Sequence, residues 1–206
     1  MDWSARVLVI VDGDLASAVG CAAAAEAAVS MHGPERADVP APIAFFPGWL
    51  DEPRVAAAEI QARANRMKVV RGVAPRVGQG RQVSGVDESI ALVEACGVAT
   101  AEGCSQVLWA TCVGGAEPRV EDVATRIDKA ALAGRLAACD RVEGVDAAVR
   151  VESPYADLSD EQLATLARDL GVHARQAWWW GSDGPGAAVR ARWVKVFEAL
   201  GSPVGV

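Results

Sequence analysis

The residues closest to chemistry are Asp12, Gly13, Asp14 and Ser17, set in the run Val11-Asp12-Gly13-Asp14-Leu15-Ala16-Ser17-Ala18. A glycine turn that opens a helix presents free backbone N–H groups, and such groups bind anions. Gly13 and Ser17 suit a phosphate cradle; Asp12 and Asp14 oppose one. Each carboxylate repels a phosphate oxygen by about a kcal/mol or more at ~4–6 Å and intermediate dielectric. A divalent cation offsets that repulsion, because both side chains are hard oxygen donors suited to magnesium, so the pair is also a candidate weak magnesium site. A purely structural use competes with both: Asp14 and Ser17 can cap the helix through the N–H groups of its first turn.

The elements around this turn follow from the pattern of apolar residues. Arg6–Val11 is a β-branched run of the kind found in buried parallel strands, and Leu15–Val29 is an Ala-rich helix. Strand, glycine turn and helix open a βα unit. Ile43–Phe46 is a second strand, broken by Pro47-Gly48, and Arg54–Met67 is a helix with Val55, Ala58 and Ala62 on one face. Val69-Val70 is a brief strand, and Gly72–Gly85 a loop in which Gly78-Gln79-Gly80 sits among Arg71, Arg76 and Arg81, either covering an anion or simply solvated. Further on come a helix (Glu88–Cys96), a strand (Val107–Ala110) with the loop Thr111–Pro118, a long amphipathic helix (Val120–Cys139) and a strand (Ala148–Val151). Ser159–Leu170 is a helix with a capping box, Ser159 with Gln162, ended by Gly171. Trp178-Trp179-Trp180 leads into a Gly/Pro turn, Gly181–Gly186, and Ala187–Leu200 is the last helix.

Strands alternating with helices predict an α/β fold, a single Rossmann-like domain over residues 1–206 with a parallel five-strand sheet flanked by helices. Ligands of such sheets bind outside the carboxyl ends of the strands. That rule makes Phe46, Gly48, Thr111, Cys112 and Asp157 candidate pocket-wall residues.

Composition narrows the function classes. The chain has 206 residues, 51% hydrophobic and 23% charged, with a net charge of −7. An acidic surface repels phosphate backbones, so general nucleic-acid binding is not expected. No run reaches the ~20 apolar residues of a membrane span, and Leu15–Ala25 lacks the charge flanks of a signal peptide. A cytoplasmic protein with no membrane contact is the expectation. The five cysteines (Cys21, Cys96, Cys104, Cys112, Cys139) include no C-x-x-C pair. Neither a disulfide framework nor a closed zinc site is expected; small buried side chains are. Cys112 has no Lys or His nearby in sequence to activate it. His32, in a loop, and His173, just past a helix end, have no triad pattern around them, and His173 reads as a solvated cap.

The turn at Asp12-Gly13-Asp14-Leu15-Ala16-Ser17-Ala18 resembles the Ser-Gly-Gly-Leu-Asp-Ser-Ala pyrophosphate loop of the N-type ATP pyrophosphatases (the PP-loop superfamily), matching at Gly13, Leu15, Ser17 and Ala18. Within that group the chain is similar over nearly its full length to the 7-cyano-7-deazaguanine synthase family of the queuosine pathway. Glu152-Ser153-Pro154-Tyr155-Ala156-Asp157-Leu158-Ser159, running to Leu170-Gly171-Val172, resembles the family's T-P-L-x-D-L-[ST]…L-G-V segment. Trp178 falls on the Trp of its T-W-S-C, and Phe197–Gly201 on its final F-x-x-x-G. The resemblance implies a nucleotide-binding fold, use of ATP and magnesium to activate a carboxylate on its way to a nitrile, a four-cysteine zinc site and a tendency to homodimerise.

The departures fall on the chemistry. The loop Asp is Ala16, two small neutral loop positions are Asp12 and Asp14, and the helix Lys falls on Asp160. The family's Y-G-Q falls on Pro47-Gly48-Trp49. The zinc cysteines fall on Trp180, Gly184, Ala187 and Arg190, so residues 172–206 form a C-terminal lobe that matches the zinc-binding segment without its ligands. Zinc is expected to be absent and Trp178, Trp179, Trp180 and Trp193 to hold the lobe by apolar packing. The leading expectation is a catalytically degenerate relative with no firm cofactor, acting as a binding or assembly partner. It would form a homodimer, or a heterodimer with a related protein, through the tryptophan-rich end. The alternatives are an active ATP-dependent ligase with magnesium on Asp12, Asp14 and Asp157 and phosphate on Ser17, and a sensor of a purine-like ligand.

Overall fold

Short β-branched and aromatic runs supply five strands: β1 (Val7–Ile10), β2 (Ile43–Phe46), β3 (Lys68–Arg71), β4 (Gln106–Trp109) and β5 (Arg150–Glu152). They pair in the order β3-β2-β1-β4-β5, every pair parallel. The computed structural model describes residues 6–32, 40–73, 85–139, 149–181, 184 and 186–201. β1, β2 and β4 are buried at every position, as parallel strands covered on both faces must be. The edge strands carry Lys68, Arg71, Arg150 and Glu152, charges that discourage pairing with another chain.

The helices are α1 (Leu15–His32), α2 (Glu52–Ala64), α3 (Gly85–Ala101), α4 (Val120–Cys139), α5 (Asp160–Asp169) and α6 (Ala187–Ala199), with a 3-10 turn at Ala174–Gln176. Side chains alternate across a strand, so each face of the sheet has its own core. Val9, Phe46 and Leu108 pack under α1, α2, α5 and α6, against Leu15, Val19, Ala58, Leu163 and Trp193. Leu8, Ile10, Phe45, Val107 and Trp109 pack on the other face, against Leu92, Ala95 and Cys96 of α3 and Ala130 and Ala133 of α4. Small residues let α1 lie close to the sheet: a Cβ on Gly20 would come within 2.6 Å of the Ala110 Cβ. The protein is thus a single-domain α/β fold with five parallel strands flanked by helices.

Local signals explain where the elements differ from expectation. α1 runs on to His32, past Val29, because no breaker precedes Gly33-Pro34. α2 starts at Glu52 rather than Arg54: Asp51 caps it, its side chain accepting the Arg54 N–H, and Pro53 sits in the first turn. α3 is longer at both ends, with Asp87 and Glu88 in its first turn suiting the helix dipole. The α5 capping box forms as its residue types imply: Ser159 Oγ accepts the Gln162 N–H and Gln162 Oε1 accepts the Ser159 N–H. Arg76, Gly78, Gln79, Gly80, Arg81, Ala148 and Pro185 lie outside the described residues. Cys21, Cys96 and Cys104 are buried and Cys112 half-buried; Cys139, at the end of α4, is exposed, contrary to the expectation of burial. No helix among the described residues is long and apolar enough to cross a membrane.

The strand order reverses beside β1. The chain passes from β1 to β2 and β3 on one side, then returns to β4 and β5 on the other. The carboxyl ends of β1 and β4 therefore border the crevice where ligands of such sheets bind.

Candidate functional site

A cleft of about 240 Å³ opens at that crevice. β1 and its turn contribute Ile10, Asp12 and Asp14, while β4 and its loop contribute Trp109, Ala110, Thr111 and Cys112. Pro47 and Trp49 come from the segment after β2, Arg54 from α2, Glu88 and Leu92 from α3, and Arg126 from α4.

The turn itself is closed on its own carboxylates. Asp12 Oδ1 accepts the Asp14 N–H at 3.0 Å. Asp14 Oδ1 accepts the Leu15 N–H at 2.8 Å and the Trp179 indole N–H at 2.8 Å. Two backbone donors at the start of α1, the Asp14 and Leu15 amides, are thus bonded to side chains of the same turn, whose negative charge the helix dipole favours. Gly13 has φ +82°, and its Cβ would lie 2.6 Å from the Arg54 carbonyl oxygen. Only glycine fits both the conformation and the approach. Its own carbonyl accepts the Trp178 N–H at 2.8 Å.

Ser17 faces the interior and is fully buried, as are Leu15 and Ala18. Its Oγ lies 2.8 Å from both the Asp14 carbonyl oxygen and Gln61 Oε1, and its single proton serves one of them at a time. Gln61 Nε2 donates in turn to the carbonyls of Asp14 and Gln176 at 3.0 and 2.9 Å. The Ser17 hydroxyl is therefore part of a buried polar network joining α1, α2 and the 3-10 turn.

Burial pushes the Asp12 carboxyl above its ordinary range, and the Asp14 charge adds to the effect; Arg54 and the hydrogen bonds to Asp12 pull the other way. Arg54 stands 4.3 Å from the Trp178 ring centroid and donates to the Asp12 carbonyl at 3.4 Å. Arg126 stands 5.1 Å from the Trp109 ring centroid and donates to Glu88 at 3.0 Å, while Lys129 donates to Glu88 at 2.8 Å. A carboxyl whose folded pKa is raised is penalised by folding only while ionised. The penalty is absent below the unfolded pKa, about 3.9, and complete above the folded one. Asp12→Asn keeps the Oδ1 acceptor and removes the charge. It is expected to raise the urea midpoint at pH 7, with the gain shrinking as pH falls towards about 3; urea titrations at both pH values check this.

Thr111 and Cys112 line the cleft. The Cys112 thiol donates to the Leu158 carbonyl at 3.1 Å, and burial pushes it up to about 11, so it stays protonated at neutral pH. Phe46 lies in the core with the Arg71 guanidinium 5.6 Å from its ring centroid. Gly48 does not line the cleft, although its neighbours Pro47 and Trp49 do. Asp157 is exposed and is not among the residues that line the cleft. His173 is exposed. Sequence reasoning missed Trp49, Arg54, Glu88, Trp109 and Arg126. The signal available for Trp109 and Arg54 was position alone, at the end of a strand and in the first turns of the following helix.

Asp160, on the position of the family lysine, is buried. Its Oδ1 accepts the Gly115 N–H at 2.8 Å, and its own N–H donates to the Gly115 carbonyl at 2.9 Å. Arg192 of α6 closes on it from both Nε, at 2.5 Å, and Nη2, a bidentate pair that raises the Arg192 pKa further. The loop after β4, α5 and α6 meet at this one carboxylate.

Trp180, Gly184, Ala187 and Arg190 offer no zinc-donor side chain, so the residues present do not fit the family's zinc. Instead the Arg190 guanidinium stands 5.5 Å from the Trp180 ring centroid. Trp179 is fully buried and stacks on Trp193, with ring centroids 6.1 Å apart and planes 9° apart; Trp193 meets Phe197 at 6.3 Å. Two tryptophans of the cluster thus lie in the core, which leaves the half-buried Trp178 and Trp180 at that end. Among the described residues no group of three or more His, Cys, Asp or Glu side chains is placed to hold a metal ion.

No known family profile matches the chain, and no curated protein matches it. Among solved structures it is similar to the U34-tRNA thiolase NcsA from Methanococcus maripaludis with its 4Fe-4S cluster, at 16% identity and a TM-score of 0.48, over 96% of this chain. The chain spans 66% of the length of that one.

Proposed function

We propose that the chain is a non-adenylating relative of the 7-cyano-7-deazaguanine synthase family, a binding or assembly protein that keeps the nucleotide-binding framework without splitting ATP. The observation that carries this reading is that Asp12 and Asp14 occupy the Asp14 and Leu15 amides at the start of α1. A triphosphate seated there would have to displace the Asp14 carboxylate from the Leu15 amide while both carboxylates repel it, at about 1–4 kcal/mol per close oxygen pair. Ala16 in place of the loop Asp, and Asp160 locked to Arg192, support the same reading. Calorimetric titration with MgATP tests it. The expected result is a dissociation constant weaker than about 1 mM; saturable micromolar binding would overturn the proposal.

A second reading, a purine-like ligand bound without chemistry, has an observation of its own. The Trp49 indole N–H is shielded from solvent and has no hydrogen-bond partner among the described residues, and Trp49 lines the cleft. At about 240 Å³ the cleft is smaller than the ~300–1,000 Å³ of drug-sized sites, a size that suits a single base. Titration with guanine and 7-deazaguanine should give saturable heat that weakens on Trp49→Phe. No heat from either base removes this reading.

A further inference from the structure

We propose that the cleft at the carboxyl ends of β1 and β4 binds a free α-amino acid with an apolar side chain, its ammonium on Asp12 and Asp14 and its carboxylate on Arg54. This assignment rests on the reading of the chain as a binding protein that does not split ATP, and names what that protein holds.

Among the described residues, five charged side chains line the cleft: Asp12, Asp14, Arg54, Glu88 and Arg126. Two of them satisfy each other, since Arg126 donates to Glu88 at 3.0 Å. The other three form no ion pair among the described residues. Asp14 Oδ1 receives neutral donors, the Leu15 amide and the Trp179 indole. Asp12 Oδ1 accepts the Asp14 N–H. The Arg54 guanidinium lies 4.3 Å from the Trp178 ring centroid and makes one long hydrogen bond, 3.4 Å to the Asp12 carbonyl, so most of its five N–H donors remain. The Trp49 indole N–H, from another lining residue, also has no partner among the described residues.

Uncompensated charges of both signs in one small cavity cost free energy until counter-charges arrive. A metal ion leaves the guanidinium without an anion, and a phosphate sets its charge against two carboxylates. A zwitterion meets both needs. Its ammonium offsets the burial and the Asp14 charge that together hold the Asp12 carboxyl above its ordinary range. Its carboxylate matches the fork of a guanidinium, with the Trp49 N–H as a further donor. The side chain is set by the apolar walls, Ile10, Pro47, Leu92 and Trp109. At about 240 Å³ the cleft is smaller than the ~300–1,000 Å³ of drug-sized sites, which suits a ligand of amino-acid size.

Calorimetric titration of the full chain with phenylalanine and with leucine is the test. Saturable binding is expected for at least one of them, with a dissociation constant of about 10–100 μM. The same side chain on an amine alone (phenethylamine or isopentylamine) or on a carboxylate alone (3-phenylpropionate or 4-methylpentanoate) should bind at least tenfold more weakly. Arg54→Gln should weaken the amino acid at least tenfold and leave the amine unchanged; Asp12→Asn should weaken the amino acid and leave the carboxylate unchanged. Circular dichroism checks that both variants fold, and the comparison of half-molecules needs no variant. No heat from either amino acid up to about 10 mM, or half-molecules that bind as tightly as the parent, would overturn the proposal and leave the binding-protein reading standing. Micromolar binding of MgATP would overturn that reading and the proposal with it.

Discussion

Trp179→Ala is expected to lower the unfolding free energy by about 3–5 kcal/mol, the range for emptying a large aromatic site in a core. The side chain has no solvent exposure, stacks on Trp193 and contacts Trp180 at a tilt. Its removal leaves a cavity beside Trp193 of α6 and the turn that opens α1. It also takes a donor from Asp14, whose Oδ1 then keeps only the Leu15 amide. Against a typical total of about 5–15 kcal/mol, such a loss brings the chain close to its unfolding threshold. Trp179→Phe separates the two contributions. It fills part of the volume but lacks the indole N–H, and should cost about 1–3 kcal/mol. Urea titrations followed by tryptophan fluorescence and far-ultraviolet circular dichroism measure both variants, and a cost below 1 kcal/mol for Trp179→Ala would mean that the lobe is held some other way.

Gly13→Ala is the second large effect, expected to cost about 2–4 kcal/mol. The left-handed backbone costs a residue with a Cβ about 1–2 kcal/mol. The remainder is steric: the added carbon would lie 2.6 Å from the Arg54 carbonyl oxygen and 3.2 Å from Arg54 Cα and Ala57 Cβ, so α2 must move away from the turn. Displacing α2 also disturbs the Gln61 network and the Arg54 contact with the Asp12 carbonyl. The same urea titration measures the cost. Because the strain is local to the turn, hydrogen exchange should rise first in the opening turns of α1 and α2.

The fold was largely legible because its signals are local and repeated. Arg6–Val11, Ile43–Phe46 and Val107–Ala110 read as buried parallel strands on β-branched and aromatic content, and they became the three central strands. The Ser159/Gln162 pair marked the α5 start because a capping box is a fixed spacing between two residue types. The edge strands were harder. Lys68–Arg71 and Arg150–Glu152 each have only one or two apolar residues, since one flank of the strand faces solvent.

The cleft lining was legible at Asp12 and Asp14, where a turn follows a strand, and at Thr111 and Cys112, where strand β4 ends. The cleft's other charged walls were not, because sequence does not tell which turn of a helix faces the sheet's open end. Arg126 reaches the cleft from the second turn of α4, and its partner Glu88 comes from a separate helix. Asp160 illustrates the same limit. Its departure from the family lysine was visible, but its partner Arg192 lies 32 residues away, and only the packing of α6 on α5 brings them together.

The central claim is that the chain's own carboxylates hold the Asp14 and Leu15 amides at the start of α1. A crystal structure grown with MgATP at millimolar concentration tests it most directly. The expected map keeps the Asp12–Asp14 and Asp14–Leu15 hydrogen bonds and places no phosphate within hydrogen-bond distance of those amides. An ordered triphosphate against the amides of Asp14 and Leu15, with the two side chains swung away, would contradict it.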